Sequence, residues 1–155
     1  MHYFWSHSST PMRSSLFIGG LLALLLIAPR PLPAQSNEQA VEAAKEAAQE
    51  WLALLDAGKY ETTWEEGATL IKSKMTAEQW AAQVRQAHAA LDSLRSRSLV
   101  AARYATDIPN APEGEYVVAQ YKSMYGAKET VETTYLKKDD GTWRVAGYFV
   151  KPAGQ

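Results

Sequence analysis

The spacing of apolar residues changes near residue 95, and this change divides the chain beyond its first 34 residues into a helical half and a stranded half. In the helical half, apolar positions recur at steps of three and four, which predicts amphipathic helices. The first stripe consists of Val41, Ala44, Ala48, Trp51 and Leu55. Ser36 and Gln39 have the spacing of a capping box at its start. Gly58 is suited to the left-handed position that ends a helix.

Two more helices are predicted by the same pattern. Tyr60 and Trp64, four residues apart, belong to a shorter second helix, and Thr76 with Gln79 forms a second capping box before the third. The third stripe consists of Trp80, Val84, Ala87, Leu91 and Leu94. Residues 68–74 fit either a last helical turn or a short extended piece.

Beyond Arg95 the apolar period shortens towards two, which is typical of strands. The pattern predicts strands over 98–106 and 115–125 with a Pro-rich loop between them, followed by a type II′ turn at Gly126-Ala127. A hairpin over 131–150 completes the sheet. This order predicts an α+β fold, in which three N-terminal helices pack on a curved four-stranded antiparallel meander.

The register of the closing hairpin depends on its turn. A two-residue loop, Asp140-Gly141, would place Lys137 opposite Arg144, and directly opposed like charges are unfavourable. A three-residue loop over 139–141 shifts the pairing by one residue and is therefore preferred. The residues that then face the helices are Tyr135, Val145 and Phe149. Those on the opposite face are Leu136, Ala146 and Tyr148.

Both faces of the predicted sheet carry apolar and aromatic residues, and three helices cover only one face well. Tyr-rich, partly apolar surface is typical of interfaces and ligand clefts. Scattered tyrosines on an ordinary sheet face would account for the same pattern.

The first 34 residues have the pattern of an export signal. An uncharged apolar run over 16–28 follows Arg13, is too short to span a bilayer as a helix, and is followed by three prolines. Cleavage before Gln35 would leave one α+β domain over 35–155, periplasmic or secreted and without a stable membrane anchor; an uncleaved signal anchor is the alternative. Met12 is a candidate for the true start.

Composition argues against several kinds of chemistry. The chain has no cysteine, so neither a disulfide nor a thiolate metal ligand is available. Beyond the leader, 14 of the 16 basic residues remain against 17 acidic ones, and a net charge of −3 is no footprint for nucleic acid. His88 is the one histidine beyond the leader, and the sequence has no Gly-rich phosphate loop, so we expect no cofactor and no metal.

Candidate site residues are few, and none is assigned a catalytic role. Arg97 and Arg103 share strand parity, which fits either an anion clamp on one face or solvated charges that protect an edge strand. Asp107 opens the Pro-rich loop, where an Asp usually makes a turn, but it could act as a general base beside a tyrosine. The ligand or interface candidates are Trp64, Arg103, Tyr104, Tyr121, Tyr125 and Tyr148.

Several segments together resemble one protein family. They are 51–60, Thr63-Trp64, 78–80, 114–118 and 143–148. They are similar to domain-of-unknown-function family 4019, a group of small exported bacterial proteins, and the resemblance covers about Val41–Val150. Because the family has no assigned activity, it implies no catalytic residues.

The wider resemblance is to nuclear transport factor 2-like and cystatin-like domains. It implies a curved antiparallel sheet wrapped on helices, often with a conical pocket and often dimeric through the sheet. Some members are isomerases or dehydratases with an Asp or an Asp-His pair in the pocket. This chain lacks that histidine, and the strand pair expected between its second and third helices is reduced to residues 68–74.

The leading hypothesis is therefore a non-enzymatic module that binds a small ligand or a protein in the exported space. A pocket enzyme of isomerase or dehydratase type, using Asp107 against Tyr104 or Tyr121, is the first alternative. A structural homodimer formed through the sheet is the second.

Overall fold

The computed structural model describes residues 33–154, in which four helices precede four strands. The elements are α1 Pro33–Asp56, α2 Tyr60–Glu65, α3 Thr69–Lys74, α4 Ala77–His88, β1 Leu94–Ala105, β2 Tyr116–Tyr125, β3 Lys128–Asp139 and β4 Thr142–Pro152. The strands form one antiparallel sheet in the order β1-β2-β3-β4. The α+β class and the meander are confirmed, and α3 is a short helix in the segment that the sequence left ambiguous. The leader and the start codon lie outside the described residues.

Helix α1 ends as its sequence predicts but begins earlier. Gly58 has φ +70°, and Lys59 N donates to Leu54 O at 3.0 Å, which is the Schellman pattern expected of a left-handed glycine. The described helix already includes Pro33, a residue suited to a first helical turn, so Ser36 lies inside the helix rather than at its cap.

Helix α4 has the predicted capping box but is shorter than its stripe suggested. Gln79 N donates to the Thr76 hydroxyl at 3.3 Å, and Thr76 N donates to the Gln79 side chain at 3.0 Å. The helix ends at His88, and Leu94 instead begins β1, where it is the register partner of Tyr125. Leu94 therefore pairs with β2 in the sheet and does not extend the helix.

The core lies between the helices and one sheet face, and its two central tryptophans have hydrogen-bonded indoles. Trp51 and Trp80 pack edge to face with ring centroids 6.1 Å apart. The Trp51 indole donates to Thr63 O and the Trp80 indole to the Thr63 hydroxyl, both at 2.8 Å. Within residues 33–154, no helix has an apolar stretch long enough to cross a membrane.

The turn of the closing hairpin is the two-residue one, so the preferred three-residue loop is wrong. Asp139 pairs with Thr142, and both Asp140 and Gly141 have positive φ, as a type I′ turn requires. Lys137 does lie opposite Arg144. The repulsion is offset because Lys137 pairs with Asp139 at 3.2 Å and Arg144 approaches Glu66 at 3.6 Å.

A bulge further along the hairpin decides which residues face the helices. Leu136 pairs with Val145, but Tyr135 pairs with Gly147, so Ala146 is an extra residue. The buried helix-facing set on the hairpin is Leu136, Trp143 and Val145, with Tyr148 packed against it. The expectation that Tyr135 and Phe149 face the helices is therefore wrong. Phe149 lies on the outer face with 64% of its surface exposed.

The Gly126-Ala127 turn is confirmed. Tyr125 pairs with Lys128 across it, and Gly126 has φ +59° whereas Ala127 is not in the positive region, as a type II′ turn requires. This turn fixes β2 against β3, so that Val117, Ala119 and Tyr121 enter the core.

Candidate functional site

A polar network inside the core is centred on Glu132 of β3, whose side chain has no exposed surface. Its carboxylate accepts hydrogen bonds from Arg97 Nε at 2.6 Å, from the Tyr148 hydroxyl at 2.6 Å and from the Tyr125 hydroxyl at 2.8 Å. The Ser123 hydroxyl donates as well. Every polar group around the carboxylate is thus a donor, which favours its ionised form.

Arg97 joins this network to the first helix. Its guanidinium donates to both oxygens of Asp56, from Nη1 at 2.6 Å and from Nη2 at 2.9 Å. Asp56 is the last residue of α1, whereas Glu132 lies in the third strand. One arginine therefore bridges two carboxylates and fixes the end of α1 to the sheet.

The electrostatics of the network hold each group in one protonation state. Burial by itself raises the pKa of Glu132, but hydrogen bonds from Arg97, Ser123 and Tyr148 outweigh it and lower the pKa to about 2. Burial lowers the pKa of Arg97, and its bonds to the two carboxylates reverse that effect and raise it. Burial and the Glu132 charge raise the pKa of Tyr148.

His88 is half-buried and lies at the edge of the network. Its ring stacks on Tyr148 with centroids 5.8 Å apart, and its Nε2 is 3.0 Å from the Tyr148 hydroxyl. The Tyr148 hydroxyl donates its hydrogen bond to Glu132, so it can only accept one from His88. The hydrogen of this second bond must therefore be on His88 Nε2. Burial lowers the pKa of His88, which favours the neutral ring.

These properties make Glu132 an anchor. A general base works best with a pKa near the operating pH, and a carboxylate with a pKa of about 2 that already accepts bonds from four side chains is a weak one. The sequence reasoning missed its role. The available signal was the position of Glu132 two residues from both Thr130 and Thr134, which places all three side chains on the same, buried face of the strand. A buried acid on that face predicts a cationic partner.

The two arginines of the suggested anion clamp lie on opposite faces, so that expectation is wrong. Arg97 pairs with Ser123, whose side chain is buried on the helix side, whereas Arg103 pairs with Val118 of the outer face. A bulge between Leu99 and Ala101 inverts the parity between them.

The structure brings Tyr125 and Tyr148 together at Glu132 and separates the other candidates. The buried Tyr121 hydroxyl finds no hydrogen-bond partner within residues 33–154. Trp64 donates to Met75 O at 3.0 Å, and Tyr104 donates to Glu115 at 3.2 Å.

Arg103 belongs to a second region, which we name the outer groove. It consists of two adjoining cavities of about 490 and about 610 Å³. The residues that line both are Leu70, Asn110, Ala111, Ala146, Gly147 and Phe149. Val118 and Tyr135 of the outer sheet face line the first cavity, and Met75 and Trp80 line the second.

The β1–β2 loop and the β4 bulge shape the outer groove. The Tyr116 hydroxyl donates to Pro112 O at 2.6 Å, and Ala111 N donates to Ile108 O at 3.0 Å around Asn110, which has positive φ. On the other side, Phe149 packs edge to face on Tyr135 with centroids 5.8 Å apart. Gly147 lies beside these two rings, since an added Cβ would be 3.7 Å from Phe149 and 3.8 Å from Tyr135, both ordinary contact distances.

The chemistry of the groove follows from its lining. Its surface is mainly aliphatic and aromatic, and its two charged side chains are Arg103 in the first cavity and Lys74 in the second. Such a site can hold an apolar body beside a cation. It offers no carboxylate among its described lining residues, and no cluster suited to a metal occurs over 33–154.

Comparisons with known proteins identify a family. No curated protein and no solved structure matches this chain significantly. The family model described as "Protein of unknown function (DUF4019)" matches residues 47–148, which include α2, α3, α4 and most of the sheet. Since the match covers well over half of the sequence, the chain belongs to the DUF4019 family of proteins of unknown function.

Proposed function

We propose that this domain is a binding module that takes a small apolar molecule in the outer groove. The observation that carries the proposal is Phe149, a large aromatic residue held 64% exposed over a glycine floor. Exposed aromatic surface beside a concavity is typical of a binding site. Each cavity has a volume in the range of small-molecule sites, roughly 300–1,000 Å³.

The interior network favours this site over a pocket between helices and sheet. At the centre of that space Trp51 packs against both Trp80 and Tyr148, and the carboxylate there is paired with Arg97. Trp80 and Tyr148 also border the second cavity of the outer groove. Asp107, the carboxylate of the enzyme alternative, lines a separate acidic depression with Glu113, Glu115 and Lys138. Binding in the outer groove therefore has more support than catalysis with Asp107.

A neutral fluorescent probe, N-phenylnaphthylamine, tests the proposal. We expect its fluorescence to rise on titration with the protein and the Phe149→Ser variant to weaken binding about tenfold, since the ring contributes apolar contact worth at least about 1.4 kcal/mol. Val100→Ser is the matched control, because Val100 is 65% exposed on edge strand β1 and does not line the groove.

Two results would contradict the proposal. Equal loss of binding in both variants would mean that the probe binds exposed apolar residues without a site. An unchanged affinity in the Phe149 variant would place the binding elsewhere. Circular dichroism of each variant checks that the fold is intact.

We further propose that the domain works in the periplasm or after secretion, on the strength of the leader pattern. Cleavage before Gln35 would remove only Pro33 and Ala34 from the described part of α1, so the helix stripe from Val41 onwards would be retained. Mass spectrometry of the protein from the exported fraction should give a chain that begins at Gln35. Recovery of the full-length chain in the cytoplasm alone would refute this localisation.

A further inference from the structure

The charges that line the outer groove have one sign. Arg103 lies in the first cavity and Lys74 in the second, and no aspartate or glutamate is among the described lining residues. Within residues 33–154 neither cation has an ion pair, although most other arginines and several lysines do. The domain as a whole is acidic, so this local excess of positive charge runs against the overall balance.

Arg103 is placed to hold an anionic head group. It pairs in register with Val118, and both residues line the first cavity together with Tyr135 and Phe149. A planar guanidinium binds a carboxylate through two parallel hydrogen bonds. Because Arg103 is exposed, such a pair would contribute a modest, salt-sensitive preference for an anion.

We propose that the outer groove binds an apolar monocarboxylate, with the carboxylate paired to Arg103 and the hydrocarbon body over Gly147 against Phe149. This inference rests on the proposed function, because it names the class of molecule that the same groove takes. A net-acidic protein repels anions non-specifically, so a preference for an anionic ligand would have to come from the local cations.

Three ligands that share a ten-carbon hydrocarbon chain and differ in their head groups test the inference. Decanoate, decanol and decyltrimethylammonium are titrated below their aggregation concentrations by isothermal calorimetry at low ionic strength. We expect decanoate to bind about fivefold more tightly than decanol, and the cation to bind most weakly. Added salt should reduce the preference, since screening weakens an exposed ion pair.

Variants separate the role of Arg103 from that of Lys74. Arg103→Gln should abolish the preference for decanoate and leave decanol binding unchanged, whereas Arg103→Lys should restore part of the preference through charge alone. Lys74→Gln should preserve most of it. Because Arg103 is exposed, these variants are expected to fold.

The outcomes distinguish the two proposals. If no decyl compound binds, the proposed function fails and this inference fails with it. If all three bind equally, the groove is a neutral apolar site and only this inference is overturned. A preference that survives Arg103→Gln and disappears in Lys74→Gln overturns the assignment of Arg103.

Discussion

At the residue scale, Glu132 is a fully buried carboxylate whose charge is stabilised by its neighbours. A buried charge is stable only when it is paired and hydrogen-bonded, and the carboxylate meets this condition through Arg97, Ser123, Tyr125 and Tyr148. Arg97 in turn needs Glu132, since only 13% of its side chain is exposed. Each partner therefore stabilises the other.

The Glu132→Gln variant should be strongly destabilised. Removing one charge leaves Arg97 partly uncompensated, and breaking a buried ion pair costs about 3 kcal/mol or more. Urea denaturation measures this loss in the free energy of unfolding. Glu129→Gln, on the same strand in an exposed pair with Lys122, is the matched control and should cost less than about 1 kcal/mol. Equal losses in the two variants would contradict the anchoring role.

At the element scale, the register of the closing hairpin is set by its turn and by its bulge. The Asp140-Gly141 turn sets the pairing near the tip, and the Ala146 bulge changes it beyond Leu136. The first helix depends instead on its stripe, in which Trp51 is only 3% exposed and packs on Trp80 and Tyr148.

Gly141→Val should lower the free energy of unfolding by about 1–3 kcal/mol, because a β-branched residue resists the positive φ of +82°. No neighbouring atom lies within 4 Å of an added Cβ, so the cost is conformational. Gly147→Ala on the same hairpin is the control, since its φ is not positive and its added Cβ meets atoms at ordinary distances. Thermal unfolding that is unchanged in Gly141→Val would refute the type I′ turn.

Trp51→Ala should cost about 3–5 kcal/mol, through lost burial and the cavity that remains in the core. It also removes the donor of the bond to Thr63 O. Glu50→Ala, an exposed neighbour on α1, should change the free energy of unfolding by less than about 0.5 kcal/mol. A loss below about 1 kcal/mol in Trp51→Ala would show that the helix stripe contributes little.

At the scale of the whole molecule, the polar network connects elements that are distant in sequence. Asp56 ends α1, His88 ends α4, Arg97 lies in β1, Glu132 in β3 and Tyr148 in β4. Protonation of Glu132 or His88 therefore affects how the helices pack on the sheet.

We expect stability to fall in two steps as the pH decreases. Burial holds the pKa of folded His88 below 6.5, so the unfolded chain takes up this proton more readily and stability declines as the pH drops through about 6.5. The pKa of folded Glu132 is about 2, against 4.5 for an unperturbed Glu, so a further loss on the order of 3 kcal/mol develops between these values.

Urea denaturation across this pH range tests both steps. His88→Gln should flatten the dependence near pH 6.5, and Glu132→Gln should flatten it between 4.5 and about 2. Stability that rises as the pH falls through 6.5 would contradict the direction assigned to His88.

The helices, caps and turns could be predicted from the sequence more accurately than the candidate site. The capping box at Thr76, the glycine at the end of α1 and the Gly126-Ala127 turn are local features, and the structure has all three. The hairpin register was missed because the Lys137–Arg144 repulsion is offset by Asp139 and Glu66, and Glu66 lies far away in sequence.

Sequence alone was enough to predict the helical and stranded halves, the α+β class and the family, because these depend on periodicity and on short motifs. Which face of each strand is buried depends instead on the three-dimensional packing of the strands. Side chains alternate with a period of two, so the single extra residue of each bulge inverts every position beyond it. That inversion turned Arg97 inward to Glu132, left Arg103 and Phe149 on the outer face, and so created the groove for which a ligand is proposed here.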